Sequence, residues 1–474
     1  MASKVPTTRS ARVEPQPTWS YDVQAQGAIL HVEARFAATT ATSLTTDDDA
    51  APFVRDVELF TGSGWVPAAR GDRGDTHDRA EDARSAWSAA CLASGCRVRY
   101  TFDLGSAAAT IDGVDTALAA GGLVVSPPST WLLRPSTTEE ATEGLVRFRV
   151  TGAGFASAMA SSARAPGFFE ASTADIDAAS FAVFGPFHDA VVQSGSAQVH
   201  VVIAPQGLAM STAEVQGWVE RAVTGVAAYY GTFPTPRTLI VVVPGKGKGT
   251  EGETLGDGGP SVIIRPAKGL TASMAIDDWV VVHELLHVTL PSLGRDDSWL
   301  GEGIATYVEP IVRARQGIVS VERFWSDLIT GLPQGLPEAG DEGLEKTHTW
   351  GRTYWGGALF CLLADVRIRE RTKGSRSFDD ALRGIVATGA NVSTHWSIDE
   401  FLDDGDRATG TTVLRDLYRE MGLGPGSADL GALWKKLGVR AQAGKSVAFD
   451  DHAALAGVRL GITAPQTQRL TSPP

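Results

Sequence analysis

Trp279-Val280-Val281-Val282-His283-Glu284-Leu285-Leu286-His287-Val288-Thr289-Leu290 is the stretch from which the rest of the chain can be read. On an α-helix, positions i and i+4 lie one above the other. The imidazoles of His283 and His287 can therefore reach a single ion, and Glu284 points toward the coordination position left open. Val280 to Val282, Leu285, Leu286, Val288 and Leu290 supply the apolar surface that buries such a helix in a core. A buried helix carrying two incidental histidines is the plainer alternative for these residues taken alone.

A catalytic zinc ion takes three protein ligands and keeps a fourth position for water, so a third ligand must come from another part of the chain. Downstream stands Trp299-Leu300-Gly301-Glu302-Gly303-Ile304-Ala305-Thr306-Tyr307. Glu302 is expected to begin a second helical run. The intervening segment, with Pro291, Gly294, Asp296 and Asp297, lets the chain turn back beside the first helix. Glu302 is the expected third ligand of one Zn²⁺ ion. Without the upstream histidines it would read as a solvated carboxylate, favoured by the dipole of a helix first turn.

Toward the N-terminus the periodicity changes to two. Leu30, Val32, Ala34 and Phe36 alternate with His31, Glu33 and Arg35, and Val98, Tyr100, Phe102 and Leu104 alternate with polar partners, as do Val146, Phe148 and Val150. This is the pattern of half-buried strands, and with intervening Gly, Ser, Thr and Pro clusters it predicts an antiparallel sandwich or saddle over 19–205. After Pro205 the period lengthens. Ser211 and Glu214 form a capping box before an apolar helix that stops at Gly231, and Ser397 with Glu400 forms another. Thr238 to Val243 and Ser261 to Ile264 read as a hairpin or two neighbouring strands, with residues 245–259 a Gly/Lys/Glu-rich loop. Beyond Ile276 the period is mostly helical. Residues 1–18 and 463–474 read as disordered ends.

The 474 residues suffice for two to four domains, and 43% hydrophobic with 20% charged residues is ordinary globular usage. A formal net charge of -13 disfavours nucleic acid as a partner. No run of about 18 apolar residues appears, so no membrane span is expected. The first 20 residues are polar and proline-rich and do not resemble a secretory leader. The expectation is either a cytoplasmic location or a removed leader. Cys91 and Cys96, separated by Leu-Ala-Ser-Gly, could bridge across a turn, and that pair tilts the expectation toward a periplasmic or secreted protein.

His283 to His287 followed by Trp299-Leu300-Gly301-Glu302-Gly303-Ile304-Ala305 resembles the gluzincin zinc metallopeptidases. Tyr354-Trp355-Gly356-Gly357-Ala358-Leu359, Leu362 to Arg369, Arg371-Thr372-Lys373-Gly374 and Ser377 to Arg383 resemble the glycyl aminopeptidase family within them. The resemblance implies an α+β multidomain chain: an N-terminal antiparallel β domain (19–205), a thermolysin-like zinc-binding domain with a small sheet (206–350), and a mainly α-helical C-terminal half (351–462) that completes the active site. It implies His283, His287 and Glu302 as zinc ligands, Glu284 as general base, and Tyr354 as hydrogen-bond donor to the oxyanion formed on a peptide carbonyl. The implied activity is zinc-dependent peptide-bond hydrolysis of the aminopeptidase type, acting on a peptide or unfolded-protein substrate.

The sequence also departs from that family. The segment between His287 and Glu302 is shorter than the gluzincin pattern, and Gly356 stands where the family has lysine. Gly256-Asp257-Gly258-Gly259-Pro260-Ser261, at the expected site of the edge strand that ends in an amine-binding glutamate, contains none. Glu253, Asp257 and Glu309 are the candidate substitutes. Two further readings therefore stand: an endopeptidase with the same zinc site, and a catalytically inactive gluzincin-fold binding protein. His348 lies close before Tyr354 and could approach the cleft, whereas His188, His200, His395 and His452 show no ligand spacing.

Overall fold

A computed structural model describes residues 16–71, 86–136, 144–152, 154–177, 180–442 and 446–464. The expected disordered ends lie outside these residues except for 16–18 and 463–464. The chain forms two compact units. The first comprises the described residues of Met1–Ile111, Ser129–Ala153 and Met159–Asp177; the second comprises those of Asp112–Pro128, Gly154–Ala158 and Ala178–Pro474.

The first unit is built on an eight-stranded sheet. At its centre Trp19–Gln26 pairs antiparallel with Ile29–Phe36, which pairs antiparallel with Cys96–Asp103. The alternation in these strands sends Tyr21, Val23, Leu30, Val32, Val98, Tyr100 and Phe102 into the core, where all are buried. Buried phenols need partners. Tyr100 donates to the carbonyl of Trp131 at 2.9 Å and accepts from the Leu133 N–H at 3.0 Å, while Tyr21 donates to the Leu133 carbonyl at 2.9 Å. The sheet is not antiparallel throughout, because Trp19–Gln26 runs parallel to Leu145–Thr151. Cys91 and Cys96 are joined in a disulfide at the entry to the Cys96–Asp103 strand.

The second unit holds a five-stranded sheet in the order His188–Ser194, Ala197–Ile203, Arg237–Val242, Ser261–Arg265, Glu251–Leu255. The three inner strands are parallel and the two edges antiparallel. The run Leu239 to Val243 is apolar at every position because both faces are covered. Ile240 and Val242, with Val262 and Ile264, face the helical core, and Leu239, Val241 and Ile263 face a cluster with Leu118, Leu123, Val125 and Phe181. The Thr212–Tyr230 helix has both the Ser211/Glu214 capping box and the left-handed Gly231 that the sequence indicates. Helices dominate from Val280 onward.

One expectation is corrected. Thr238 to Val243 and Ser261 to Ile264 are neighbours, but they run parallel rather than as a hairpin, and the segment between them is not loop throughout. Glu251–Leu255 is a strand that pairs antiparallel with Ser261–Arg265 and forms the edge of the sheet. Its Glu-Gly-Glu-Thr-Leu sequence shows no apolar alternation, since backbone pairing rather than burial holds an edge strand of this kind.

Candidate metal centre

Both histidines of the pair lie on the Val280–Thr289 helix, which is buried at nearly every position and packs through Val281, Leu285, Leu286 and Val288. His283 and Glu284 are themselves almost fully buried, at 6% and 7% exposure. The second helix, Ser298–Arg315, packs on it, and its Trp299, Leu300, Ile304 and Val308 are buried in the same core. It begins four residues before Glu302, so this carboxylate sits in the second turn rather than opening the helix as the sequence suggests. The Trp299 indole donates to Glu345 at 3.2 Å and ties the helix start to a later segment.

These two helices bring three ligand atoms together. Nε2 of His283 and Nε2 of His287 are 3.2 Å apart, and Glu302 Oε2 lies 3.3 Å from the first and 3.6 Å from the second. Ligands bound tetrahedrally to zinc at about 2.0 to 2.1 Å stand about 3.3 Å from one another. The triangle matches that spacing. Oε2 of Glu302 is buried and makes no hydrogen bond, an atom whose remaining valence suits a cation. Among the described residues these three form the group of His, Cys, Asp or Glu side chains whose ligand atoms converge. The residues present therefore fit a zinc ion.

The three groups compensate one another electrostatically. Burial opposes ionisation of Glu302, yet the two imidazoles outweigh it and hold the carboxyl well below the usual range. For His287 burial opposes the charged form, and Glu302 and Glu284 overcome this and raise its pKa.

Glu284 is placed from the edge strand. Thr254 Oγ1 donates its one hydrogen to Glu284 Oε2 at 2.8 Å, with the Glu284 backbone carbonyl 3.2 Å away as the weaker branch of a bifurcated bond. A Cβ added at Gly252 would stand 2.5 Å from Cγ of Glu284, so only glycine leaves room for this side chain. Thr254 and Gly252 are functional candidates that the sequence did not reveal, because the signal for them is a contact across some 30 residues of chain rather than a spacing.

Tyr354 lies in a π-helical turn, Gly351–Gly356, that leads into the Gly357–Arg371 helix. Such turns insert one residue into the helical ladder and occur disproportionately at functional sites. Arg352 anchors this turn through a buried ion pair with Asp341 at 2.8 Å. A Cβ at Gly303 would meet Gly357 backbone atoms at 2.3 Å, so the helix carrying Glu302 touches the segment carrying Tyr354 at bare backbone. Tyr354 is half-buried, and burial together with the charges of Glu302 and Glu284 raises its pKa, so it shares their electrostatic neighbourhood.

The three candidates for binding a substrate amine fare differently. Asp257 belongs to the turn after the edge strand and pairs with His395 at 2.7 Å. Glu309 is buried against Arg313 at 3.0 Å. Glu253 lies on the edge strand, but its register assigns it to the opposite face from Gly252 and Thr254. Burial, Asp115 and Glu284 together raise its pKa. His348 is exposed and does not join the triad, and neither do His188, His200, His395 or His452.

No family model and no curated protein matches the chain. Among solved structures it is similar to an aminopeptidase N family protein from Idiomarina loihiensis, with a TM-score of 0.67 at 13% sequence identity, covering 90% of this chain and 79% of that one. At that identity the likeness is one of fold, and what the chain shares with that protein is an α+β architecture of N-terminal sheets followed by a largely helical C-terminal half.

Proposed function

We propose that the protein is a zinc-dependent peptidase of the gluzincin type, with a thermolysin-like catalytic region and aminopeptidase-like activity. The observation that carries the reading is the convergence of His283, His287 and Glu302 Oε2 within zinc-ligand spacing, with Glu284 held beside them by Thr254. The fold likeness to an aminopeptidase N family protein supports it. A zinc ion held by these three side chains would supply Lewis acidity, polarising a peptide carbonyl and lowering the pKa of water at the site toward about 7. Glu284 takes the proton from the attacking water and returns it to the leaving amine. Thr254 fixes the carboxylate that performs both transfers. Tyr354 donates a hydrogen bond to the carbonyl oxygen as negative charge builds on it.

An endopeptidase with the same site is the second reading. It is favoured by the engagement of Asp257 and Glu309 in other pairs and by the register of Glu253. We also propose an oxidising compartment, periplasmic or extracellular, a reading supported by the Cys91–Cys96 disulfide.

The test pairs metal analysis with hydrolysis of a peptide library by the wild type and by Glu284→Gln. One zinc per chain in both proteins, with cleavage by the wild type only, is the expected result. Bound zinc with no cleavage of any peptide would replace the enzyme by a binding protein of the same fold. N-terminally blocked peptides separate the two peptidase readings, because an aminopeptidase leaves them intact.

A further inference from the structure

Eight large apolar side chains are exposed among the described residues, and four of them stand on two segments that adjoin the candidate metal centre: Met274, Ile276 and Trp279 on one, Trp350 on the other. Scattered exposed apolar residues need no explanation, but three within six residues of chain next to the metal-binding helix do. Trp279 is half exposed, at 48%, and its ring makes an edge contact with His283, with centroids 5.1 Å apart and planes at 82°. Trp350, 61% exposed, stacks on Tyr354 with centroids 5.6 Å apart and planes at 30°. Each indole is thus one ring contact away from a residue assigned to the reaction centre.

Both segments are held from beneath by other means than burying these side chains. In the short turn Met274–Ile276 it is Ala275 that points inward, at 1% exposure, while its two neighbours face solvent. Arg313, buried on the Ser298–Arg315 helix, donates to the Asp277 carbonyl at 2.8 Å and so fixes the chain between that turn and Trp279. Trp350 precedes the π-helical turn that Arg352 and Asp341 anchor. Apolar surface presented in a fixed arrangement binds with less ordering cost than surface that must first be organised. The two acidic residues beside the first group are engaged locally: Asp277 pairs with Arg323 at 3.2 Å, and Asp278 accepts from the Val280 N–H at 3.0 Å.

We infer that Trp279, with Met274 and Ile276, and Trp350 receive large apolar side chains of a peptide at the positions next to the bond that is cut, making apolar-rich, unfolded polypeptide the substrate class. The inference rests on the peptidase reading of the metal centre. Continuity of both apolar groups with His283 and Tyr354 is what identifies the occupant as substrate rather than a separate partner.

The test compares kcat/KM for matched peptides, with free and with blocked N-termini, that carry Leu or Phe, Gly, or Asp at the residues flanking the cleaved bond. The wild type is expected to favour Leu or Phe over Gly by about 10-fold or more, and over Asp by a larger factor. Trp279→Ala and Trp350→Ala should each reduce the Leu-to-Gly ratio severalfold, Trp279→Phe should restore much of it, and Leu460→Ala, at another exposed apolar site, should leave it unchanged. Equal kcat/KM across the series, or a ratio untouched in both tryptophan variants, overturns the inference while leaving the peptidase reading intact. If the wild type cuts no peptide, the peptidase reading fails and calorimetric binding of the same peptides to zinc-loaded Glu284→Gln decides. Tighter binding of the Leu and Phe peptides with a negative heat-capacity change supports the apolar subsites, and binding independent of the side chain refutes them. A concentration-dependent dimer that disappears in Trp279→Ala or Trp350→Ala, with no change in peptide preference, would make a second copy of the chain the occupant instead.

Discussion

The hydroxyl of Thr254 donates to Oε2 of Glu284 across 2.8 Å, from an edge strand whose Gly252 leaves room for the same side chain. A buried carboxylate with freedom to rotate is a poor base, because proton transfer requires it within hydrogen-bond reach of water. Here one hydroxyl and one missing Cβ restrict it. Thr254→Val keeps the shape and removes the donor. It should lower kcat by about 10- to 100-fold, the equivalent of a hydrogen bond to a charged group, with metal content unchanged. Gly252→Ala should also lower kcat by displacing Glu284, and thermal melts should show both variants folded.

Metal loading should stabilise the fold, since His283, His287 and Glu302 otherwise pack two imidazoles and a carboxylate with one buried oxygen unsatisfied. Zinc at about 100 times its dissociation constant adds about 2.7 kcal/mol. A chelator should lower the melting temperature of the wild type and have little effect on His283→Ala or His287→Ala. An unchanged melting curve on removing and restoring zinc would count against the ligand set.

Replacing Tyr354 by Phe removes the hydroxyl and leaves the ring that stacks on Trp350. If the hydroxyl donates to the developing oxyanion, kcat falls by about 10² to 10³, or about 2.7 to 4 kcal/mol, with little change in KM. Steady-state kinetics measure both. A change in KM alone would restrict Tyr354 to substrate binding.

Glu309 yields a prediction in stability rather than rate. Burial pushes its carboxyl up to about 7 from an ordinary 4.5, against the pull of the Arg313 guanidinium at 3.0 Å. The folded state therefore holds a proton that the unfolded chain releases first. Its contribution is full below about pH 4.5 and is lost as pH rises toward 7, amounting to no more than about 3 kcal/mol. Denaturant titrations from pH 5 to pH 8 should show this loss in the wild type and a flatter profile in Glu309→Gln.

Much of the architecture was legible in one dimension. The period-two runs around Leu30 and Val98 are core strands, and the capping boxes at Ser211 and Ser397 start helices where their spacing indicates. His283, Glu284 and His287 could be read as a unit because a helix converts an offset of four residues into proximity, whatever the rest of the chain does. Local geometry of this kind is carried by neighbouring residues alone. The Glu302 carboxylate joins the triad through the packing of two helices, Thr254 reaches Glu284 through a strand pairing with no apolar pattern, and Tyr354 is positioned by a π-helical turn against bare glycine backbone. Those relationships depend on how distant segments share one core. Glu302 and Tyr354 could be named in advance from their motifs, whereas Thr254 had no such signal; the placement of all three comes from burial and backbone pairing between residues far apart in order.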